Sequence, residues 1–310
     1  MFNYSIIIPH KNIPSLLRRC LDSIPERDDL EIIVVDDNSD EKSIKNLKGI
    51  HRNSLQIIYT KEGKGAGFAR NIGLKQARGI WVIFSDADDV FEPGIEAILN
   101  LLFEDSESDI VNFDVTSRNS DTNESNNEIE KINYHCTDDK YQKDPMSFKF
   151  INLVPWGKAI RRDFILQHHL KFEEVKHGND LLFASLCDFY CQNRRIIPII
   201  GYCWMYRKNS LWRQKNLEWA ETRYNVLVKT GKLMKKLGEP EFAQRLINEA
   251  WFFCRLIKDY SYTKYLYTAF KYGTITQNYR ILFIDIPYFL FKDIFKYLFF
   301  YKKASLQVKQ

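Results

Sequence analysis

The stretch that decides the fold is Trp81-Val82-Ile83-Phe84-Ser85-Asp86-Ala87-Asp88-Asp89. Its first four residues form a short apolar run, which predicts a buried strand. Three carboxylates follow within four residues, where the strand should end, and like charges this close raise each other's pKa. A divalent cation such as Mg²⁺ or Mn²⁺ resolves the repulsion, because it prefers hard oxygen ligands and often binds substrate phosphates as well. The stretch therefore predicts a metal–diphosphate site; the alternative is an acidic turn that caps a helix beginning near Pro93.

Strands and helices alternate along the first third of the chain. Apolar runs predict strands at residues 4–8, 31–35, 55–59, 80–84 and 109–113. Apolar residues at helical spacing predict helices at residues 16–24, 68–78 and 93–103. This alternation indicates an α/β fold with a mostly parallel sheet and helices on both faces. Ligands bind outside the carboxyl ends of such strands, where the sequence places polar clusters at residues 9–12, 36–39 and 86–89.

The composition is that of a globular protein, with 45% hydrophobic and 27% charged residues in a chain of 310. The net charge of +5 comes from residues 271–310, so the rest is about neutral and no nucleic-acid partner is expected. Six cysteines are scattered without a Cys-x-x-Cys pair, which favours free thiols in a reducing cytosol. We expect no signal peptide, because a strand begins almost at once, and no membrane-spanning helix, because apolar runs are too short.

Several motifs occur in a specific order, although each is weak separately. They are Ile6-Ile7-Ile8-Pro9-His10-Lys11-Asn12, Val34-Val35-Asp36-Asp37-Asn38-Ser39, Gly65-Ala66-Gly67-Phe68-Ala69-Arg70-Asn71-Ile72-Gly73, Phe84-Ser85-Asp86-Ala87-Asp88-Asp89, Pro155-Trp156-Gly157-Lys158 and Gly178-Asn179-Asp180-Leu181-Leu182-Phe183. Over residues 4–210 the chain resembles family-2 glycosyltransferases, the inverting nucleotide-sugar enzymes of the GT-A fold. It looks closest to bacterial enzymes that build capsular or lipopolysaccharide glycans. One departure is Lys11, where the family more often has Tyr or Phe.

The resemblance assigns donor-binding roles to four residues near the amino terminus. Asp37 looks like the carboxylate that accepts a hydrogen bond from the uracil N–H in UDP-sugar enzymes; an Asx-turn is the alternative. Pro9 and His10 would lie beside the base and ribose, through backbone groups. Arg70 would reach the nucleotide or the aspartate cluster, with a structural salt bridge as the alternative.

The same resemblance implies a cation and its ligands. Asp86, Asp88 and Asp89 look like the family's Asp-x-Asp metal motif, which implies Mn²⁺ or Mg²⁺ as the cofactor. A bound cation would neutralise charge that develops on the leaving diphosphate. Arg207 falls where the family often has an arginine-containing segment that closes over the donor, and Lys158 is a second cationic candidate for diphosphate binding.

The last two motifs look like the acceptor side of the family. Asp180 is the candidate catalytic base, which takes a proton from the acceptor hydroxyl as its oxygen attacks the anomeric carbon. Asn179 stands where the family often has Glu and is predicted to contact the acceptor. Trp156 is predicted to stack on an acceptor sugar. A helix N-cap for Asp180 and a core position for Trp156 are the alternatives.

Two regions are expected, a GT-A catalytic domain at residues 1–212 and a helical region at residues 213–310. Residues 117–147 are predicted to form a mobile insertion, because their first half is rich in Asn, Ser, Asp and Glu. Residues 281–303 combine nine aromatic side chains with a basic helical face, which favours an amphipathic helix at a membrane surface. Packing on the catalytic domain or on a second subunit, as in a homodimer, is the alternative.

The expected function is that of a cytoplasmic or peripheral membrane enzyme. It would be a metal-dependent inverting glycosyltransferase that moves a hexosyl or N-acetylhexosaminyl group from a nucleotide-diphosphate donor, a UDP-sugar, to a hydroxyl of a surface-polysaccharide or lipid-linked glycan. One alternative is a non-catalytic nucleotide-sugar-binding subunit. The other is a sugar-phosphate nucleotidyltransferase, which would need a more basic glycine-rich loop directly after the first strand.

Overall fold

A computed structural model describes residues 2–126, 136–207 and 216–254. The chain divides into two compact units, Met1–Lys215 and Asn216–Gln310. In the ranges described, no helix combines the length and the apolarity needed to cross a bilayer. The predicted amphipathic helix at residues 281–303 lies outside the described residues.

The described part of the first unit is built on one eight-stranded sheet. The strands are β1 (Tyr4–His10), β2 (Leu30–Asp37), β3 (Leu55–Thr60), β4 (Trp81–Phe84), β5 (Val90–Phe91), β6 (Ile110–Asn119), β7 (Lys158–Arg161) and β8 (Arg194–Tyr206). Their order is β3-β2-β1-β4-β7-β6-β8-β5. The strands β1 to β4 pair in parallel, and β6 pairs in parallel with β8. Because β7 is antiparallel to both β4 and β6, and β5 to β8, the sheet is mixed.

Helices cover both faces of this sheet, as the sequence predicts. They are α1 (Pro14–Asp22), α2 (Glu41–Lys48), α3 (Ala66–Gln76), α4 (Gly94–Phe103), α5 (Asp139–Lys143), α6 (Arg162–Gln167) and α7 (Leu181–Tyr190), with a 3₁₀ turn at Pro145–Phe148. Alternate residues of β1 enter different cores, because successive side chains of a strand point to opposite faces. Ile6 and Ile8 share one core with residues of α1 and α4, whereas Ile7 shares the other with residues of α3, α6 and α7.

Local signals set where several helices begin. Pro14 occupies the first turn of α1, where a missing N–H costs nothing. The Asp40 side chain caps α2 by accepting a 2.7 Å hydrogen bond from the Ser43 N–H. Gly65, at a φ of 95°, begins α3, because this backbone conformation is open mainly to glycine. No side chain caps α4, so the alternative that the acidic stretch serves as a helix cap is wrong.

Two strands are longer than their sequence patterns predict. Strand β1 continues through Pro9 to His10. Pro9 lies beyond Ile7, the last residue of β1 that pairs with β4, so it has a neighbouring strand on the β2 side alone. A proline is tolerated there, because it stands at an edge of the pairing. Strand β6 continues to Asn119, into the segment predicted as an insertion, because β8 pairs with it along its whole length. Within that segment Cys136 and Tyr141 are buried in the core, while residues 127–135 lie outside the described ranges.

The described part of the second unit is a pair of packed helices, α8 (Leu217–Lys236) and α9 (Pro240–Cys254). Asn216 caps α8 by accepting a 2.8 Å hydrogen bond from the Trp219 N–H. The two helices approach closely at Gly231, where an added Cβ would lie 3.2 Å from the Ala243 carbonyl oxygen. The predicted helical region is therefore confirmed for the described residues of these two helices.

Candidate active site

Residues 85–89, here named the acidic turn, follow β4 at the carboxyl edge of the parallel strands. The ends of β1 and β2 lie beside it, because β1 pairs with both β2 and β4. The side chains of Asp86 and Asp88 are 33% and 23% exposed, whereas Asp89 is buried. The three polar clusters that the sequence singles out therefore meet at one edge, with two carboxylates open to solvent.

The buried carboxylate of Asp89 ties the acidic turn to β8. Its Oδ2 accepts a 2.6 Å hydrogen bond from the Tyr202 hydroxyl, and its Oδ1 accepts a 2.7 Å bond from the Met205 N–H. The same tyrosine oxygen accepts a bond from the Asp86 N–H at 3.1 Å. Burial, followed by the charges of Asp88 and Asp86, raises the pKa of Asp89 well above its ordinary value. Both oxygens of Asp89 are thus occupied within the protein, and we infer that it shapes the turn rather than binding a cation.

Asp88 lies between two arginines. Its Oδ2 pairs with the Arg207 guanidinium, with a 2.9 Å bond from Nε, and its carbonyl oxygen accepts a 2.7 Å bond from Arg19. Arg19 also donates to Ser120, so it connects α1 with the end of β6. Burial and the charge of Asp86 raise the pKa of Asp88, while Arg207 opposes them. The predicted donor-binding arginine therefore contacts a predicted metal ligand directly.

Arg70 connects the acidic turn with the residue that precedes the candidate base. One terminal nitrogen donates to Asp86 Oδ1 at 2.5 Å and the other to Asn179 Oδ1 at 2.8 Å. The guanidinium is 4% exposed and lies 5.3 Å from the centroid of the Phe172 ring. The structural salt bridge that the sequence left as an alternative for Arg70 is therefore present, with Asp86 as its partner. The bridge fixes the start of α7 relative to the acidic turn.

His10 uses both ring nitrogens inside the protein. Nε2 accepts a bond from the Ile13 N–H at 3.2 Å, so the proton of the neutral ring lies on Nδ1, which donates to Asp36 Oδ1 at 2.8 Å. Asp36 also accepts bonds from the Ser39 N–H and hydroxyl. This network holds the ends of β1 and β2 together. The His10 ring is thus used within the protein, and contacts of the Pro9 and His10 backbone with a nucleotide remain a prediction.

Asp37 has one satisfied and one unsatisfied oxygen. The carboxylate is 4% exposed, and its Oδ2 accepts a 2.8 Å hydrogen bond from the Gly65 N–H at the start of α3. Its Oδ1 is buried and has no hydrogen-bond partner among the residues that the structure describes. A buried acceptor without a donor costs free energy. The geometry therefore fits a ligand N–H at this oxygen better than an Asx-turn, which would use the carboxylate locally.

Asp180 directly precedes α7, whose Phe183 is buried in the core. Its carbonyl oxygen accepts the Ala184 N–H at 2.9 Å, but its side chain makes no capping hydrogen bond. The partly exposed carboxylate is therefore not used as the N-cap that the sequence left as an alternative. Its neighbour Asn179 is occupied by Arg70, so an acceptor contact through that amide oxygen would compete with the bridge.

Two predicted ligand contacts are packed inside the protein. Trp156 is 5% exposed, and its ring stacks on Tyr202 with centroids 5.5 Å apart, which supports the core alternative. Lys158 is 1% exposed and donates to the Asn152 carbonyl oxygen at 2.7 Å. Burial lowers the pKa of Lys158. The prediction that Lys158 binds diphosphate is wrong, because its ammonium group is buried inside the protein and bonded to a backbone carbonyl.

Sequence reasoning missed Arg19 and Tyr202, two of the side chains that contact the acidic turn. Neither lies in a recognisable motif. Each contacts the turn over a separation of 69 residues or more, so the local sequence gives no sign of the contact. The available signal was indirect: a cluster of carboxylates requires nearby donors, and an arginine on the first helix is a natural candidate.

The sequence profile described as Glycosyl transferase family 2 matches residues 5–168, more than half of the chain. The chain belongs to this family. As a glycosyl transferase family 2 enzyme it has curated relatives, among them the uncharacterized glycosyltransferase YibD of Escherichia coli K12. That protein is 26% identical over 279 residues, which cover 82% of this chain and 79% of YibD.

Two solved structures share the GT-A fold of this glycosyl transferase family 2 enzyme. The first is Staphylococcus aureus TarS 1–349 in complex with UDP-GlcNAc, with a TM-score of 0.59 and 18% identity over 92% of this chain and 76% of that one. The second is the mannosyltransferase PcManGT of Pyrobaculum calidifontis in complex with GDP-Man and Mn²⁺, with a TM-score of 0.56 and 18% identity over 96% and 85%. These likenesses confirm the fold class.

Proposed function

We propose that this glycosyltransferase is a metal-dependent inverting enzyme that uses a UDP-sugar. The observation that carries the proposal is the buried Oδ1 of Asp37, to which no residue in the described part of the chain donates a hydrogen bond. The N–H group of a uracil ring supplies the missing donor at this oxygen. The complex of TarS with UDP-GlcNAc supports a donor of this class.

Asp86 and Asp88 fit a cation that is shared with the donor diphosphate. Each carboxylate is partly exposed, and each uses one oxygen in an ion pair with an arginine. The remaining oxygen of each is bonded by no other described residue. The described residues contain no group of three metal-binding side chains, so substrate phosphates would have to complete the shell, as is usual for Mg²⁺. When bound, Mn²⁺ or Mg²⁺ supplies positive charge that stabilises the departing diphosphate.

Asp180 is the proposed base. Its carboxylate is partly exposed, free of a capping role, and held near the acidic turn by the Asn179–Arg70–Asp86 bridge. It takes the proton of the acceptor hydroxyl while that oxygen attacks the anomeric carbon from the side opposite the diphosphate. One displacement of this kind inverts the anomeric configuration.

The acceptor is proposed to be a surface polysaccharide or a lipid-linked glycan, and the group transferred a hexose or N-acetylhexosamine. Relatives support this class, because TarS is named a poly(ribitol-phosphate) β-N-acetylglucosaminyltransferase. Two further proposals rest on the sequence. Residues 281–303 are proposed to contact the inner face of the cell membrane, and the protein is proposed to form a homodimer.

A thermal-shift panel of UDP-sugars, with and without Mn²⁺, tests the donor proposal. A ligand at about one hundred times its Kd stabilises the folded state by roughly 2.7 kcal/mol, which corresponds to a shift of about 5 °C in a chain of this size. We expect such a shift with one UDP-sugar, and a larger shift with Mn²⁺ than without it.

The Asp37→Asn variant tests the proposed contact between Asp37 and the uracil ring. The amide oxygen would still accept the Gly65 N–H, but the amide nitrogen would present N–H groups to the uracil N–H. Because two donors cannot pair, the thermal shift with the UDP-sugar should largely disappear. The Asp163→Asn variant alters an exposed carboxylate on α6 and should shift like the wild type. The proposal would be overturned if the folded wild-type protein showed no thermal shift with any UDP-sugar. It would also be overturned if the wild type and the Asp37→Asn variant showed the same shift.

A further inference from the structure

Lys11 occupies a rigid position beside Asp37, in the pocket proposed to bind uracil. The residue before it, His10, is held by Asp36. The residue after it, Asn12, donates its N–H to Ser39 Oγ at 2.8 Å and accepts the Asp40 N–H at 2.8 Å through Oδ1. The backbone of Lys11 is therefore fixed on both sides against the segment that follows β2.

The side chain of Lys11 reaches over Asp37. Its ammonium nitrogen lies 3.6 Å from Asp37 Oδ2 and is 48% exposed as a side chain. On its other flank stands Gly63, where an added Cβ would lie 3.5 Å from the same nitrogen. Asp37 Oδ2 already receives the Gly65 N–H, so the lysine adds charge there but leaves its own donors available. The pocket thus presents an ammonium donor next to an unsatisfied carboxylate acceptor.

A uracil ring offers the complementary pair of groups. Its N3–H is a donor, and carbonyl oxygens flank it on both sides, so a ring that gives N3–H to Asp37 Oδ1 presents an adjacent acceptor. Bases are commonly read by hydrogen bonds on this edge. An ammonium group carries three donors and no acceptor, so it pairs with a carbonyl oxygen and not with a ring N–H.

We infer that Lys11 is a specificity-determining residue that donates a hydrogen bond to a carbonyl oxygen of the donor base. This inference rests on the proposed function, because it assumes that Asp37 binds the base N–H. An aromatic residue here, which the sequence analysis notes as more frequent in such proteins, would contact a ring without reading its carbonyl groups. Lys11 therefore makes recognition of the nucleotide base in this chain a two-point contact, with the acceptor on the last residue of β2 and the donor on the residue that follows β1.

Isothermal titration with UDP, 2-thio-UDP and 4-thio-UDP tests the inference in the wild type and in Lys11→Met. Sulfur in place of oxygen weakens the carbonyl as an acceptor at one known position. We expect Lys11→Met to bind UDP about tenfold more weakly, the scale of one hydrogen bond to a charged group. One thio analogue should bind the wild type more weakly than UDP does, and that difference should vanish in Lys11→Met, as a double-mutant cycle requires for two groups in contact.

The matched control is Lys64→Met, which removes a lysine of similar exposure that lies 3.8 Å from Glu174. It should bind UDP and both analogues as the wild type does. Equal weakening of all three ligands in Lys11→Met would mean a general charge effect on phosphate and would overturn the inference, as would unchanged binding. A wild-type protein that binds no UDP would instead overturn the proposed function itself.

Discussion

At the scale of single residues, the carboxylate of Asp180 is free for chemistry. Its side chain takes no part in capping α7, so replacing it should not destabilise the helix. We predict that Asp180→Asn lowers kcat by about 10²- to 10⁴-fold, the usual contribution of a general base. The thermal shift with the UDP-sugar should be unchanged, because donor contacts lie elsewhere. Transfer assays with the donor identified above measure kcat, and wild-type turnover in the variant would exclude this base.

Arg207 and a divalent cation compete for the same carboxylate. The guanidinium pairs with Asp88, one of the two proposed cation ligands. A cation that uses Asp88 must therefore displace this ion pair or share the carboxylate with it. Both side chains are about one quarter exposed, so the ion pair is weak enough to exchange.

We predict that Arg207→Ala binds Mn²⁺ about fivefold more tightly than the wild type in the absence of nucleotide, which is the effect of losing a partly exposed ion pair. Electron paramagnetic resonance of free Mn²⁺ measures this affinity directly. The control is Arg118→Ala, which breaks a comparable pair with Glu92 and should leave Mn²⁺ affinity unchanged. Weaker or equal binding of Mn²⁺ in Arg207→Ala would show that Asp88 does not bind the cation in the absence of nucleotide.

At the scale of elements, the first turn of α3 packs directly on the segment that leads into α7. A Cβ added at Gly67 would lie 2.0 Å from the Glu173 carbonyl oxygen and 2.9 Å from the Asn179 Cβ. Backbone cannot move aside as a flexible side chain does. Gly67 therefore sets the spacing between the helix that carries Arg70 and the residues around the candidate base.

We predict that Gly67→Ala lowers the free energy of unfolding by about 2 kcal/mol, as overpacking does, although alanine alone favours a helix. Urea denaturation measures the change. Gly49→Ala is the matched control, because a Cβ there meets only an oxygen at 3.5 Å and φ is negative, so its effect should stay below about 1 kcal/mol. Equal stabilities of the two variants would contradict the close approach at residue 67.

The elements that could be predicted from sequence are those with continuous apolar runs. Strands β1 to β4 and helices α3 and α4 follow from such runs and from the turns between them. Strand β7 has four residues with a lysine and an arginine at its ends, so no pattern marked it. Strand β8 carries Pro198 and a register shift against β6. The positions of Asp37, Asp88 and Asp180 follow from motifs, whereas the contacts of Arg19, Tyr202 and Lys158 depend on the fold.

At the scale of the whole molecule, Lys158 links stability to pH. It lies on β7, which joins the parallel half of the sheet to β6 and β8. Burial lowers its pKa from the ordinary 10.5. A lowered pKa in the folded state means that the folded protein binds fewer protons here than the unfolded chain does. The contribution of Lys158 to stability is therefore present above pH 10.5 and is lost as pH falls through its folded-state pKa.

We predict that the wild-type Tm, measured relative to that of Lys158→Met, rises as the pH is increased from neutrality toward 10.5. Scanning calorimetry at several pH values measures the difference. Lys75→Met alters an exposed lysine on α3 and should run parallel to the wild type over the same range. A constant difference between wild type and Lys158→Met would show that the lysine titrates alike in both states.

The tie between Asp89 and β8 has a consequence for biosynthesis. Met205 follows Asp89 by 116 residues, so a ribosome that adds about 5–20 residues per second needs roughly 6–23 s to supply the partner. During that interval the nascent chain already contains its clustered carboxylates but lacks the hydroxyl and N–H that organise them. The acidic turn therefore acquires its full set of contacts late in translation, and a polypeptide that terminates before Tyr202 would carry Asp89 without the hydroxyl and the N–H that bind its carboxylate.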